Sequence, residues 1–136
     1  MTATETKGQV RGTLLEKTDD ALVLGLPGTD YRIHLVPTIH IDEITTPPGK
    51  RLAGTIEARA LKVHRTSAGG RFIEPVWGAP RIVQGTIVTI ETGRVLVQTP
   101  VAMWITLPEG QASSDFATGQ MVNFYVESGV AIRIAR

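Results

Sequence analysis

The segment RLAGTIEARALKVHR (residues 51–65) reads as one long β-strand, and the rest of the chain can be interpreted outward from it. Small and apolar residues occupy alternate positions at Leu52, Gly54, Ile56 and Ala58. The alternation then changes phase and continues at Leu61 and Val63. Alternation with a period of two is typical of a strand with one buried face. A change of phase inside a strand predicts a bulge or a corner.

Short strand-like segments lie on both sides of this stretch. In the first half a hairpin is predicted around Lys17 to Asp19, followed by the alternating segment YRIHLV and a looser loop over residues 37–49. The second half follows the same order, with the segments VQGTIVTIE, RVLVQTP, VAMWITLP, QMVNFYVESG and VAIRIAR. One helical turn is predicted, beginning in the segment Ser113-Ser114-Asp115, where a hydroxyl or carboxylate side chain can cap it.

The two halves can be aligned with each other. The aligned positions are Gly12, Thr13 and Leu14 with Gly85, Thr86 and Ile87; Pro27 with Pro100; Ile33 and Leu35 with Ile105 and Leu107; Gly49 with Gly119; and Leu52, Gly54 and Ile56 with Val122, Phe124 and Val126. Agreement of strand order, loop position and apolar phase predicts an internal duplication. Chance matching of two alternating β segments is the alternative.

The segment FATGQMVNFYVESG (residues 116–129) resembles the G-x-x-V-x-F/V-x-V pattern that opens the fourth strand of S1-type small barrels. Residues 49–57 resemble it more weakly. This similarity to the OB-fold implies an all-β protein of two tandem five-stranded OB-like Greek-key barrels, related by internal duplication and with little helix. The corresponding division is a first unit at residues 1–66, a hairpin and aromatic/proline crossover at 67–82, and a second unit at 83–136.

OB-like barrels usually bind single-stranded nucleic acid, so the resemblance implies that function here. Cold-shock and S1 relatives carry base-stacking aromatic residues on the outer face of strands two and three. The corresponding segments, ALVLGL and RVLVQT, contain none. Only Tyr31 and Trp104 lie on the third strands, and Tyr31 is predicted to point inward because it alternates in phase with Ile33 and Leu35.

Positive charge is concentrated in the middle of the chain. Residues 50–81 carry a net charge of +5, whereas the rest carries −4, although the whole chain is only +1. This asymmetry favours one face that attracts anions, and charges scattered over several loops are the alternative. The residues predicted to contact nucleic-acid phosphates are Arg59, Lys62, Arg65, Arg71 and Arg81.

Two aromatic residues, Phe72 and Trp77, lie in the crossover GGRFIEPVWGAPRIVQG (residues 69–85). They are predicted either to stack on bases beside the arginines or to pack between the two units and hold them together. Burying a large side chain contributes roughly 1.5–3 kcal/mol, and the chain has few aromatic residues. Burial between the units is therefore the preferred interpretation.

Catalytic and metal-binding patterns are weak. The absence of cysteine excludes disulfides, thiol catalysis and cysteine-ligated zinc. His40, Asp42 and Glu43 have metal-ligating side chains, but a further convergent ligand is not evident and a solvated loop is the favoured interpretation. No serine lies in a nucleophile-elbow pattern and no glycine loop precedes a helix. We expect a protein that is not an enzyme and that uses no metal or cofactor.

The sequence thus predicts a non-catalytic binding module, in the first instance for single-stranded nucleic acid without sequence preference. The alternative is a protein-interaction or self-assembly module that pairs exposed strand edges, with itself or another protein as partner. Binding of a small ligand between the barrels is a third possibility. The N-terminus does not resemble a signal peptide and no apolar run is long enough to span a bilayer, so a cytoplasmic location with no membrane partner is expected.

Overall fold

The computed structural model describes residues 7–67 and 69–135, and this part of the chain is almost entirely β-structure. Two 3₁₀ helices, Ile41–Glu43 and Ser113–Asp115, each follow a third strand, and the second confirms the predicted helical turn. The all-β class is therefore confirmed. The strands are β1 (Val10–Lys17), β2 (Leu22–Gly25), β3 (Arg32–Pro37), β4 (Arg51–Thr66), β5 (Phe72–Glu74), β6 (Trp77–Gly78), β7 (Ile82–Glu91), β8 (Arg94–Gln98), β9 (Ala102–Thr106), β10 (Met121–Val126) and β11 (Ala131–Ile134).

All eleven strands are hydrogen-bonded into one mixed sheet, rather than into two separate sheets. Within it the pairings form two closed circuits. The first ring consists of β1, β2, β3, β11 and the first part of β4, which pairs again with β1. The second ring consists of β7, β8, β9, the second part of β4 and β10, which pairs again with β7. Each ring contains one strand from the other half of the chain.

Strand β4 joins the two rings because it is long enough to take part in both. Residues 51–54 pair with β1 and residues 54–57 with β11, whereas residues 56–59 pair with β9 and residues 60–66 with β10. Ile56, which has a strand on each side, is fully buried. The buried apolar residues of both rings consequently form one continuous core.

The predicted irregularity in β4 is confirmed. Tyr125 pairs with Lys62 and Val126 with Ala60, so Leu61 is the extra residue of a bulge. The expected phase is wrong at this one position: Leu61 is 59% exposed and Ala60 is buried in its place. A bulge leaves one residue out of the pairing, and this lets Ala60 and Val63 both face the core.

The opening hairpins of the two rings have matching registers. Thr13 lies opposite Gly25 with a bulge after Leu14, and Thr86 lies opposite Gln98 with a bulge after Ile87. The next pairings match Leu24 with Ile33 in the first ring and Val97 with Met103 in the second. By this register Ile33 corresponds to Met103 and Leu35 to Ile105. The predicted alignment of Ile33 and Leu35 with Ile105 and Leu107 is wrong. It assumed that the connections before β3 and β9 differ by one residue, whereas the connection before β3 is three residues longer.

Two glycines allow the first strand of each ring to approach its neighbours closely. A Cβ atom on Gly12 would lie 2.6 Å from Cγ of Leu24, and one on Gly85 would lie 2.8 Å from Cγ1 of Val97 and against the carbonyl oxygen of Gln98. The strand could accept a methyl group only by moving away from the hairpin partner. These contacts explain why glycine is found at both positions.

We predict that Gly85→Ala destabilises the protein by about 1–3 kcal/mol, because the added methyl group overpacks β7 against β8. The matched control is Gly70→Ala, where the Cβ atom would meet nothing within 4 Å and φ lies outside the positive range. That change should be neutral or slightly stabilising. Urea unfolding monitored by circular dichroism measures both, and equal stabilities would contradict the packing explanation.

The exchange of strands also predicts how the chain behaves when it is cut. A fragment of residues 1–68 lacks β11, and a fragment of residues 69–136 lacks β4, so each leaves one ring open with unpaired backbone groups. We expect neither fragment to unfold cooperatively alone, and we expect their mixture to recover the β-sheet spectrum. Cooperative thermal unfolding of either isolated fragment would contradict this prediction.

Candidate nucleic-acid interface

The outer face of four neighbouring strands, β4, β10, β7 and β5, brings several predicted site residues together; we call it the β4–β10 face. Its two outward rows, read across the strands, are Lys62, Tyr125, Ile82 and Glu74, and His64, Asn123, Gln84 and Phe72. The row between them, Val63, Phe124, Val83 and Ile73, is buried in the core. With strands about 4.8 Å apart, each outward row spans about 14 Å.

The middle of this face is held by side-chain amides. Nδ2 of Asn123 donates to Oε1 of Gln84 (2.9 Å), and Nε2 of Gln84 donates to the carbonyl oxygen of Gly70 (2.8 Å). Gln84 is buried, because the chain at Gly69 and Gly70 lies against it. These hydrogen bonds fix the segment before β5, and with it Phe72, against the sheet.

Tyr125 is the exposed aromatic residue of the face. Its side chain is 53% exposed and lies directly across the strands from Lys62. Along β4, Arg59 and His64 are exposed in the same outward phase, on either side of Lys62. An aromatic ring with cations around it is an arrangement that can stack a base and contact its phosphates.

The basic side chains of this region carry no ion-pair partner in the described part of the chain. The two acid–arginine ion pairs found there are Arg94 with Glu91 at 2.8 Å and Arg133 with Glu57 at 3.2 Å. The hydrogen bond and the negative charge of Glu57 raise the pKa of Arg133. Because Glu57 is engaged by Arg133, it does not pair with Arg59 two residues further along the same strand.

The structure divides the other predicted cations. Arg65 lies opposite Val122, and Arg81 lies beside Val126, where its carbonyl oxygen accepts from the Val126 amide. Both side chains are exposed at opposite ends of β10, about 14 Å apart along the strand. Arg71 is exposed in the connection just before β5. Val122 and Val126 are buried, and residues paired across strands point to the same side of the sheet, so Arg65 and Arg81 are out of phase with Lys62. The β4–β10 face therefore gathers Arg59, Lys62 and Phe72 and does not include Arg65 or Arg81.

Trp77 is not buried between the units, so the preferred interpretation of this residue is wrong. Its side chain is 63% exposed, and its Nε1 donates to the carbonyl oxygen of Asp30 (2.9 Å). The guanidinium of Arg32 lies 4.6 Å from the ring centroid. The physical reason is the parallel pairing of β6 with β3, which places Trp77 beside the outward-facing Arg32. Phe72 is partly buried.

Tyr125 is the main site residue that the sequence prediction missed. The alternation of Val122, Phe124 and Val126 places Tyr125 in the outward phase, and that signal was present in the sequence.

The inward position predicted for Tyr31 is confirmed, because its ring packs against the core and its hydroxyl accepts from the Ile73 amide at 3.2 Å.

The segment with metal-ligating side chains has a local structural role. Nδ1 of His40 accepts from the Asp42 amide (3.2 Å), and the Glu43 carboxylate accepts from the His40 amide (3.0 Å), so both cap the first 3₁₀ helix. Residues 7–67 and 69–135 contain no cluster of three or more histidine or acidic side chains that could hold a metal ion.

No helix in the same ranges has the length and hydropathy required to cross a membrane.

The two tryptophans should differ sharply in their contribution to stability. Trp104 is 4% exposed beneath the Arg94 guanidinium, which lies 4.0 Å from its ring centroid, so Trp104→Ala should cost about 3–5 kcal/mol. Trp77→Ala removes an exposed cation–π contact, and we expect a loss of about 1 kcal/mol or less. Guanidinium unfolding of both variants measures this, and a larger loss for Trp77→Ala would restore the packing interpretation.

Comparison with known proteins does not assign the chain to a family. No protein-family model matches it, and no curated protein matches it.

Proposed function

We propose that the two rings are OB-like barrels that arose by internal duplication. Each ring has five strands and a long connection after its third strand, which contains a 3₁₀ helix. In both halves the glycine before the fourth strand has a φ of 91° and donates its amide to the first strand, Gly49 to Leu14 and Gly119 to Ile87. The equal hairpin registers and equally placed bulges support the same proposal.

In this arrangement the two barrels have exchanged their fifth strands. The fifth strand of the first barrel is β11, which runs parallel to β3, and that of the second is the later part of β4, which runs parallel to β9. Exchange leaves each barrel dependent on the other half of the chain. It also makes β4 a rigid element on which the outward residues 59, 62 and 64 are held.

We infer that the protein is a non-catalytic module that binds single-stranded nucleic acid on the β4–β10 face. The observation that supports this most directly is the exposed ring of Tyr125 directly across from Lys62, with Arg59 and His64 on either side. A base stacked on an aromatic side chain contributes about 1–3 kcal/mol, and unpaired lysine and arginine side chains attract the phosphates.

Binding to this face should show little preference for sequence. The amides of Asn123 and Gln84, which could otherwise read base edges, are hydrogen-bonded to each other and to the Gly70 carbonyl oxygen. Stacking and phosphate contacts accept any base, because every base has an aromatic face. The expected ligand is therefore single-stranded nucleic acid of any sequence.

Assembly by edge pairing, the alternative function, has less support. On the edge of β4 that does not face β10, the side-chain amide of Gln111 bonds to both the N–H and the carbonyl oxygen of Val63, at 2.8 Å each. Closed pairing circuits also leave few free strand edges in the described part of the chain. Measuring mass by size-exclusion chromatography with light scattering tests this alternative.

We predict that a fluorescently labelled oligonucleotide of about 12 nucleotides binds the protein at ~50 mM salt, and that this binding weakens steeply as the salt concentration rises toward ~200 mM.

Tyr125→Ala should weaken binding by about 1–3 kcal/mol, because one stacked base is lost. Lys62→Ala should weaken all sequences equally and lower the salt dependence, because one phosphate contact is lost. Fluorescence anisotropy measures all three effects.

The matched control is Lys50→Ala, which removes the same charge from an exposed turn in the first half of the chain. It should bind like the unchanged protein. The proposal fails if no oligonucleotide binds at low salt, or if the Tyr125 and Lys62 variants cannot be distinguished from this control.

A further inference from the structure

A groove on the outer side of β1, β2 and β3 lies next to Trp77 and outside the β4–β10 face. Its volume is about 320 Å³. Its lining includes Leu15, Pro27, Asp30, Arg32 and Trp77. Stacking of Trp77 on a base was one of the two interpretations that the sequence allowed.

The Trp77 side chain is exposed to solvent, yet its indole ring is held in one orientation. Its indole is tied to the Asp30 carbonyl oxygen and stacked against Arg32, yet nearly two thirds of the side chain stays accessible. Leaving a large aromatic side chain in water sacrifices its hydrophobic stabilisation, so an exposed indole held in one orientation is suited to a ligand. Because its orientation is already restricted, little further ordering would be needed when a ring stacks on it.

The groove is close to the β4–β10 face along the chain. Phe72 belongs to that face, and Trp77 follows it by five residues, so their Cα atoms are at most about 18 Å apart. A flexible strand stacked on Tyr125 and Phe72 would need only a few more nucleotides to reach Trp77. The short connection thus places a third aromatic side chain within reach of the same ligand.

We infer that Trp77 and its groove bind a further base of the single strand held on the β4–β10 face, so that the binding site extends across both rings. This inference depends on the proposed function. The base stacks on the accessible part of the indole, and the phosphates pass on the side of Arg32. Asp30 also lines the groove, and a negatively charged residue there disfavours phosphates close to it.

The test uses the full chain and unlabelled thymidine oligonucleotides of about 15 nucleotides, a length within the range that such folds cover. Trp104 is buried, so a change of tryptophan emission on binding should come from Trp77 and should be absent in Trp77→Phe. Trp77→Ala should weaken binding about 5- to 150-fold, which corresponds to one lost stacked base. The control is His34→Ala, which changes an exposed residue on β3, the strand that pairs with β6, and it should leave affinity unchanged.

The outcomes separate this inference from the proposed function. If the oligonucleotide binds but tryptophan emission and the affinity of Trp77→Ala stay unchanged, the inference is wrong and the β4–β10 face alone is the site. If Trp77→Ala weakens binding but Tyr125→Ala does not, the groove is supported and the β4–β10 face is rejected. If the unchanged protein binds no oligonucleotide, both proposals fail.

Discussion

The structure depends on the backbone hydrogen bonds of β4. Successive parts of this sixteen-residue strand pair with β1, β11, β9 and β10, so one strand satisfies polar groups in both rings. At Ile56 and Glu57 the strand is paired on both sides, with β11 and with β9. Since a buried backbone group without a partner is costly, neither ring can release β4 without exposing such groups. The two halves are therefore expected to unfold as one unit.

This constraint also explains why the outward side chains of β4 have defined neighbours. Pairing with β10 fixes Lys62 opposite Tyr125 and His64 opposite Asn123, and pairing of β10 with β7 continues both rows. Because the rows follow from register, the sheet and not a loop sets which backbone positions carry the cation, the aromatic ring and the amide. A preorganised face of this kind loses little conformational freedom when a ligand binds.

Local features of the fold were predictable from the sequence. The bulge in β4, the helical turn at Ser113 and the inward position of Tyr31 all follow from nearest-neighbour patterns: alternation, phase and capping side chains. Three of the seven residues predicted for the site, Arg59, Lys62 and Phe72, share the β4–β10 face. Burial of Trp77 was predicted wrongly, because hydrophobicity alone does not reveal the parallel pairing of β6 with β3 that places this residue on the surface.

The sequence by itself determined most of the inward and outward positions, because successive side chains of a strand point to opposite faces of the sheet. The bulge in β4 is the exception, since Ala60 and not Leu61 faces the core there. Only the tertiary structure decided which distant strands pair. Backbone N–H and C=O groups are the same at every residue, so the choice of β11 as partner of β3, and of the later part of β4 as partner of β9, depends on packing of the whole core. The positions of Tyr125 beside Lys62 and of Trp77 beside Arg32 are consequences of that choice.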